Sequence, residues 1–555
     1  MDRVRVFTAA QIRTMDPGRP TASAVAVADG RIVSVGSLES MDPWLRRVDH
    51  DIDDTYAQQV LMPGLIDPHT HLRMSGTYMG LEYVGPIPCQ GPAGVVQGLD
   101  DRDAALARLS ELVAASDDPS RPIITWGYDP GTQAGHLDRD MLDQISDTVP
   151  IWVLSYAPHI VYTNTPMIEL IGVTEDTVAH GLGRYPDGRL NGWFIETGAV
   201  GMATAPVRAD VYRPGFGIEA LERQGKVAVR NGITTTADMI WGFDSFEGEW
   251  DDHQQVIDGG GFPLRVLLVP FDSRLVRKFG DDRLEFLRTM SERSTDRLAA
   301  HGVKFVNDGS YPSMTLKLNF PGYLDGEEGL TGEVPWNEMV EAMWPYWDAG
   351  VQIHSHANGD ETVDMTLDTL AALQLRKPRF DHRFTIEHYC ISRVDQCRRL
   401  AALGAMASVN PYFVHYRSLL HSDSGFGPDR AEATARLGSL ERAGAMFTLH
   451  SDYNLVVGPM APLTAAWVAV NRLAADGETV MAPGERISVD RALRAITTDA
   501  AHVLRRDHEV GSLEVGKLAD FVVLGDDPYE VDPAGLHRVP VVGTVLGGEP
   551  HEADG

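Results

Sequence analysis

LMPGLIDPHTHL, residues 61–72, is an apolar, β-leaning run that ends in His-Thr-His. In an extended strand, residues two apart point to the same side. His69 and His71 therefore present two imidazoles together at the strand's C-terminal end. Two convergent imidazoles form a metal chelate, and the Pro63-Gly64 pair before them marks a backbone entering a tight site. The same two histidines would also suit a half-buried strand with no metal, because histidine is not only a ligand. The rest of the chain has to decide.

Downstream, strand-like segments ending in polar residues recur with a beat: TTTADM (234–239), LRVLLVP (264–270), VKFVNDGS (303–310), VQIHSHANGD (351–360), FTIEHYC (384–390), AMASVNPY (405–412) and AMFTLHSDYN (445–454). Helical stretches such as WNEMVEAMWPYWDAG and ETVDMTLDTLAALQL separate them. With the first run this makes eight strand-helix alternations. They predict an α/β chain whose body is a (β/α)8 TIM barrel, with function at the C-terminal strand ends. The gap from 73 to about 230 is too long for one connection and holds strand-like pieces of its own, IITWGYD and PIWVLSYAPHIVYTN. It reads as an α/β subdomain inserted after barrel strand 1, roofing the mouth. Its aromatics Trp126, Tyr128, Trp152 and Tyr156 suit either a hydrophobic substrate or a core.

Both chain ends are β-rich. AVAVADGRIVSVGS alternates around an Asp-Gly hairpin signal at 29–30, and GSLEVGKLADFVVLGDD and VVGTVLGGE repeat that texture at the other end. The expected organisation is a small β-sandwich domain built from residues 1–60 and 485–555, with the barrel as 61–484 between its halves.

Composition narrows the partners. Across 555 residues, 79 acidic side chains against 48 basic ones give a net charge of -31. Phosphate binding needs a basic surface, so nucleic acid is excluded as a partner, as are anionic membrane surfaces. No apolar run approaches the ~18 residues of a membrane span, and the first residues carry no secretory h-region. Cys89, Cys390 and Cys397 form neither a disulfide framework nor a CxxC pair. A reducing cytoplasm is the expected location, and a small molecule the expected substrate.

The polar strand ends supply the chemistry. The first gives His69 and His71, the fourth Lys304, the fifth His356, the sixth His388 and the eighth Asp452. His356 to His388 spans 32 residues and His388 to Asp452 spans 64, one and two βα units, so these groups arrive at the same mouth. Lysine is the odd member, since an ammonium repels a cation. It fits if the amine, its pKa lowered by burial, adds carbon dioxide and becomes an anionic carbamate. A snorkelling or ion-paired lysine is the plain alternative, with Asp308 four residues on.

PGLIDPHTH, VKFVNDGS, HANGD, IEH, HSD and the C-terminal ITTDAAHVL…GSLEVGKLADFVVL together resemble the amidohydrolase superfamily, in its amidohydrolase-3 (YtcJ-like) branch of N-substituted formamide deformylase-type metal-dependent hydrolases. The resemblance covers nearly the whole chain. It implies a metal-dependent hydrolase acting on C–N bonds other than peptide bonds, commonly with zinc. It maps His69, His71, Lys304, His356, His388 and Asp452 onto the ligands of a binuclear centre: two divalent cations, bridged by carboxylated Lys304, with Asp452 also acting as general base and then acid. It carries a family tendency toward homodimers. A mononuclear deaminase, using the same groups without the lysine, is the enzymatic alternative, and a non-catalytic scaffold the alternative of another class. His354, two before His356, is expected to support the site or to contact substrate. His450, two before Asp452, raises the same question. His159, Tyr162 and Asn164 lie in the insertion and are candidate substrate-pocket residues.

Overall fold

The opening run divides between two sheets. Val60–Pro63 pairs antiparallel with Phe521–Leu524, whereas Leu65–Thr70 is the first strand of the barrel. The break falls at Gly64, whose N–H donates to the Asp520 carbonyl at 3.0 Å. A Cβ there would lie 2.0 Å from Thr234 Oγ1, so only glycine lets the chain cross this closely. What the sequence presents as one strand is thus two short ones. The computed structural model describes residues 3–91, 94–212, 216–453 and 458–553.

The described residues form two compact units, those within 72–224 and all the others. In the larger unit the barrel strands are β1 (Leu65–Thr70), β2 (Ile233–Trp241), β3 (Arg265–Pro270), β4 (Val303–Val306), β5 (Ile353–Ala357), β6 (Thr385–His388), β7 (Met406–Val409) and β8 (Met446–Leu449). All neighbouring pairs are parallel, with Leu298–Ala300 extending the sheet beside β3. Two single parallel bridges join the two runs of strands, Phe271 to Lys304 and Thr70 to Tyr453. The second seam matters most. There the Asp452 N–H donates to the His69 carbonyl at 2.9 Å and the His71 N–H to the Tyr453 carbonyl at 2.8 Å. This seam therefore brings Asp452 beside the histidine pair.

Helices such as Phe246–Asp258, Met339–Asp348, Asp360–Arg376 and Val394–Ala402 return the chain between strands. The β1, β2 and β3 side chains Ile66, Ala237, Met239, Leu267 and Val269 pack with Ala500, Ala501 and Leu504 in one buried cluster. Eight short strands with buried residues on both faces match the all-parallel pattern.

The terminal segments make a single eight-stranded sheet. The expected sandwich is here one sheet curled on itself: Ile32 N–H donates to the Lys517 carbonyl at 2.9 Å and Gly516 N–H to the Ile32 carbonyl at 2.8 Å. Phe7, Ile12, Val25, Val27, Phe521, Val523 and Val545 fill its inside. The Asp29-Gly30 hairpin forms as read, with Ala28 opposite Arg31 and φ of 51° and 73° at the two turn residues. A buried ion pair, Arg265 Nε to Asp520 Oδ2 at 2.6 Å, ties β3 to the segment leading into Phe521–Leu524.

The 72–224 unit carries a six-stranded mixed sheet, ordered Leu182–Arg184, Leu190–Ile195, Ile160–Thr163, Ile151–Ser155, Ile123–Tyr128, Glu82–Tyr83. Its core includes Val84, Leu109, Tyr128, Ile151 and Val153. Trp126, Tyr128, Trp152 and Tyr156 are all buried. Among the described residues, no helix is long and apolar enough to cross a membrane, and all three cysteines are buried.

Candidate metal centre

His69 near the end of β1 and His71 just beyond it hold their rings 5.4 Å apart, edge to face. Asp452 reaches both: its Oδ1 lies 3.3 Å from His69 Nε2 and 2.9 Å from His71 Nε2. These three side chains offer donor atoms that all lie within 4.8 Å of one another, and so do His69, His388 and His450. His69 belongs to both sets. Lys304, buried on β4, places Nζ 3.3 Å from His69 Nε2.

Two backbone departures make this possible. His388 follows Glu387 on β6, and strand alternation would send their side chains to opposite faces. His388 instead takes a φ of 72°, which turns its ring to within 4.7 Å of the His69 ring while Glu387 keeps the interior position. Asp452 likewise sits at φ 53°, just beyond β8. Left-handed conformations at non-glycine residues cost energy and cluster where function imposes them.

The residues between 57 and 551 match the model of the amidohydrolase family, amidohydrolase-3 type. The chain belongs to the amidohydrolase family. As such it is a hydrolase. Among its relatives, Protein LONG AFTER FAR-RED 3 of Arabidopsis thaliana is 29% identical over 542 residues, 95% of this chain and 88% of that protein. N-substituted formamide deformylase of Arthrobacter pascens is 24% identical over 557 residues, 97% and 96% of the two chains. An uncharacterized metal-dependent hydrolase from Pyrococcus horikoshii OT3 superposes with a TM-score of 0.73 at 20% identity, covering 96% of this chain and 99% of the other, a likeness of fold.

The donor set of this amidohydrolase fits a divalent cation. Burial alone would raise the Asp452 carboxyl, but the His388 and His69 rings outweigh it and hold the group well below the usual carboxylate range. Burial pushes His388 well down and lowers His71, and it pushes His450 to about 3 with His69 adding to the effect. The neutral imidazole is the form that binds metal, and His69 goes the other way: burial and Lys304 lower it, but Asp452 and Glu387 raise it overall. Burial also lowers the Lys304 ammonium, against the pull of Glu387 and Asp452. Among the described residues Asp452 Oδ1, His388 Nδ1 and both ring nitrogens of His450 are buried without an aligned hydrogen-bond partner. Each such group costs about 1–3 kcal/mol if nothing satisfies it, a cost that a cation removes.

His356 stands apart from this convergence. Its ring packs 4.5 Å from that of His388, but its Nε2 lies 3.1 Å from the Gly309 carbonyl, 2.8 Å from Asn358 Nδ2 and 3.3 Å from Asp308 Oδ1. Asp308 in turn accepts the N–H groups of Asn358 and Gly359 at 3.0 and 2.8 Å, fixing the turn after β5. His354 is fully buried and bonds Glu387, which gives it a supporting place and no exposed edge for substrate. In the 72–224 unit, Tyr162 is buried with its hydroxyl 2.8 Å from His136 Nδ1. Asn164 caps the helix Thr165–Ile171 and donates to the Ser146 and Val149 carbonyls, so its side chain is spent on the fold. His159 is half-buried beyond Ile151–Ser155. Asn454, the last residue of the HSDYN motif, lies outside the described residues.

Glu387 stands out only in the fold, although its place directly before His388 in IEH is a signal that the sequence carries. Its Oε2 accepts from His69 Nδ1 at 2.6 Å.

Proposed function

We propose that this amidohydrolase cleaves an amide-type, non-peptide C–N bond of a small molecule in a metal-dependent reaction. The observation that carries the reading is the convergence of His69, His71 and Asp452 donor atoms within 4.8 Å at the closed seam of the barrel. The C-terminal strand ends are where barrels of this kind keep their chemistry. The likeness to an N-substituted formamide deformylase over nearly its whole length supports an amide substrate.

His69, His71, His388 and Asp452 would hold the metal, with Lys304 as a carbamate and His356 completing a second position. Zinc suits imidazole and carboxylate donors. A divalent cation there supplies positive charge that polarises a carbonyl group and acidifies water. Asp452, kept ionised, takes the proton of the attacking water and returns it to the departing nitrogen. Lys304 sheds one proton to water to become the free amine, adds carbon dioxide through its lone pair and gives up a second proton, which turns a repelling cation into an anionic carbamate.

The reading is tested by assaying N-substituted formamides, acylated amines, cyclic amides and carbamates with zinc- and manganese-loaded protein, while counting metal per chain. Amide turnover with two cations and a carboxylated Lys304 in the mass spectrum supports it in full. Ammonia release with one cation favours the mononuclear deaminase, and a folded chain that takes up no metal points to a scaffold.

A further inference from the structure

Glu387 lies fully buried between two histidines that come from other strands. Its Oε2 is 2.6 Å from His69 Nδ1 and its Oε1 is 2.7 Å from His354 Nδ1. We propose that Glu387 is a positioning residue of the metal centre, braced by His354, and that together they fix His69 in the tautomer whose Nε2 lone pair faces Asp452 and Lys304. The proposal rests on the metal-dependent reading above and assigns work to two residues outside its ligand set.

A neutral imidazole carries one N–H and one lone pair, and an ionised carboxylate only accepts. With Glu387 at Nδ1, the proton of His69 must sit there, and Nε2 is left free to donate its lone pair. Nε2 is the atom that faces Asp452 Oδ1 and Lys304 Nζ, each at 3.3 Å. The same logic applies to His354, which also gives its Nδ1 proton to the carboxylate. A carboxylate is suited to this place because it accepts from both rings at once. A glutamine could accept from one ring only and would have to donate to the other, forcing one histidine into the opposite tautomer. Ring orientation is fixed as well: Glu387 is held on β6, His354 on β5 and His69 on β1, so the clamp ties three strands across the barrel interior.

The strand register explains why His354 and His356 divide their tasks. His354 pairs with Lys304 of β4 and Thr385 of β6, one layer below His356, which pairs with Val306 and Glu387. The deeper histidine meets the carboxylate of the neighbouring strand, and the outer one reaches the His388 ring.

The test compares wild type, E387Q, H354A and H354N by zinc competition against a chromophoric chelator, with circular dichroism to verify folding. Carboxylates placed behind a ligating histidine are worth about 10–100-fold in metal affinity, which is the loss expected for E387Q. H354A should lose less, and H354N, whose amide can donate where Nδ1–H did, should recover toward wild type. Histidine 15N shifts of the zinc-loaded wild type should show His69 protonated at Nδ1, and those of E387Q should show one of the two rings switched. A residue that only supports the fold would lower the unfolding temperature without moving either readout. Equal zinc affinity in folded E387Q and wild type overturns the proposal and leaves the metal reading standing. A wild type that binds no zinc removes both. Should E387Q fail to fold, the tautomer of His69 in zinc-loaded wild type decides: protonation at Nε2 overturns the assignment.

Discussion

Asp452→Asn lowers turnover by about a hundred- to ten-thousand-fold, the range that a positioned proton carrier contributes. The substitution keeps an oxygen within reach of His69 and His71 and removes only the charge and the ability to shuttle a proton. Zinc content, measured on the same preparation, should stay near that of wild type. The effect should fall on kcat, with KM little changed, because the proton moves in the transition state and not on binding. Burial disfavours the ionised carboxylate here, and the rings of His388 and His69 restore it. A variant that holds its metal and still turns over at the wild-type rate removes Asp452 from the proton-carrying role.

Stripping the metal with a chelator abolishes turnover and lowers the unfolding temperature together, and both return on adding zinc. Activity goes because no side chain at this seam replaces the cation's charge. Stability goes because a ligand that binds only the folded state at about a thousand times its Kd contributes about 4 kcal/mol. The buried donors left behind add to the loss, since Asp452 Oδ1 and His388 Nδ1 have no aligned partner among the described residues. The check is a paired assay and thermal melt before and after chelation. Retention of full activity after quantitative metal removal would contradict the account.

The barrel was legible because its strands are short apolar runs with polar ends, and each of the eight predicted segments overlaps a strand of the barrel. His69 and His71 were legible for the simplest reason, a spacing of two on a strand. The division of 61–72 at Gly64 was not, because an apolar run looks the same whether one sheet or two receive it. The close approach of Thr234 is a tertiary fact. His388 could be placed at the mouth by its interval from His356, but not by alternation, which its positive φ breaks. Glu387 escaped notice for the same cause, since two adjacent residues of a regular strand do not serve one site. His354 and His356 could not be separated by pattern, as both lie on one face of β5. Their roles depend on which neighbour each meets, and the register with β6 settles that.

The most direct measurement is anomalous diffraction at the zinc edge from crystals of the metal-loaded protein. The account predicts density enclosed by His69, His71 and Asp452, with a second peak toward His388. A metal-saturated crystal with no peak beside His69, or with its zinc bound elsewhere on the chain, would contradict it.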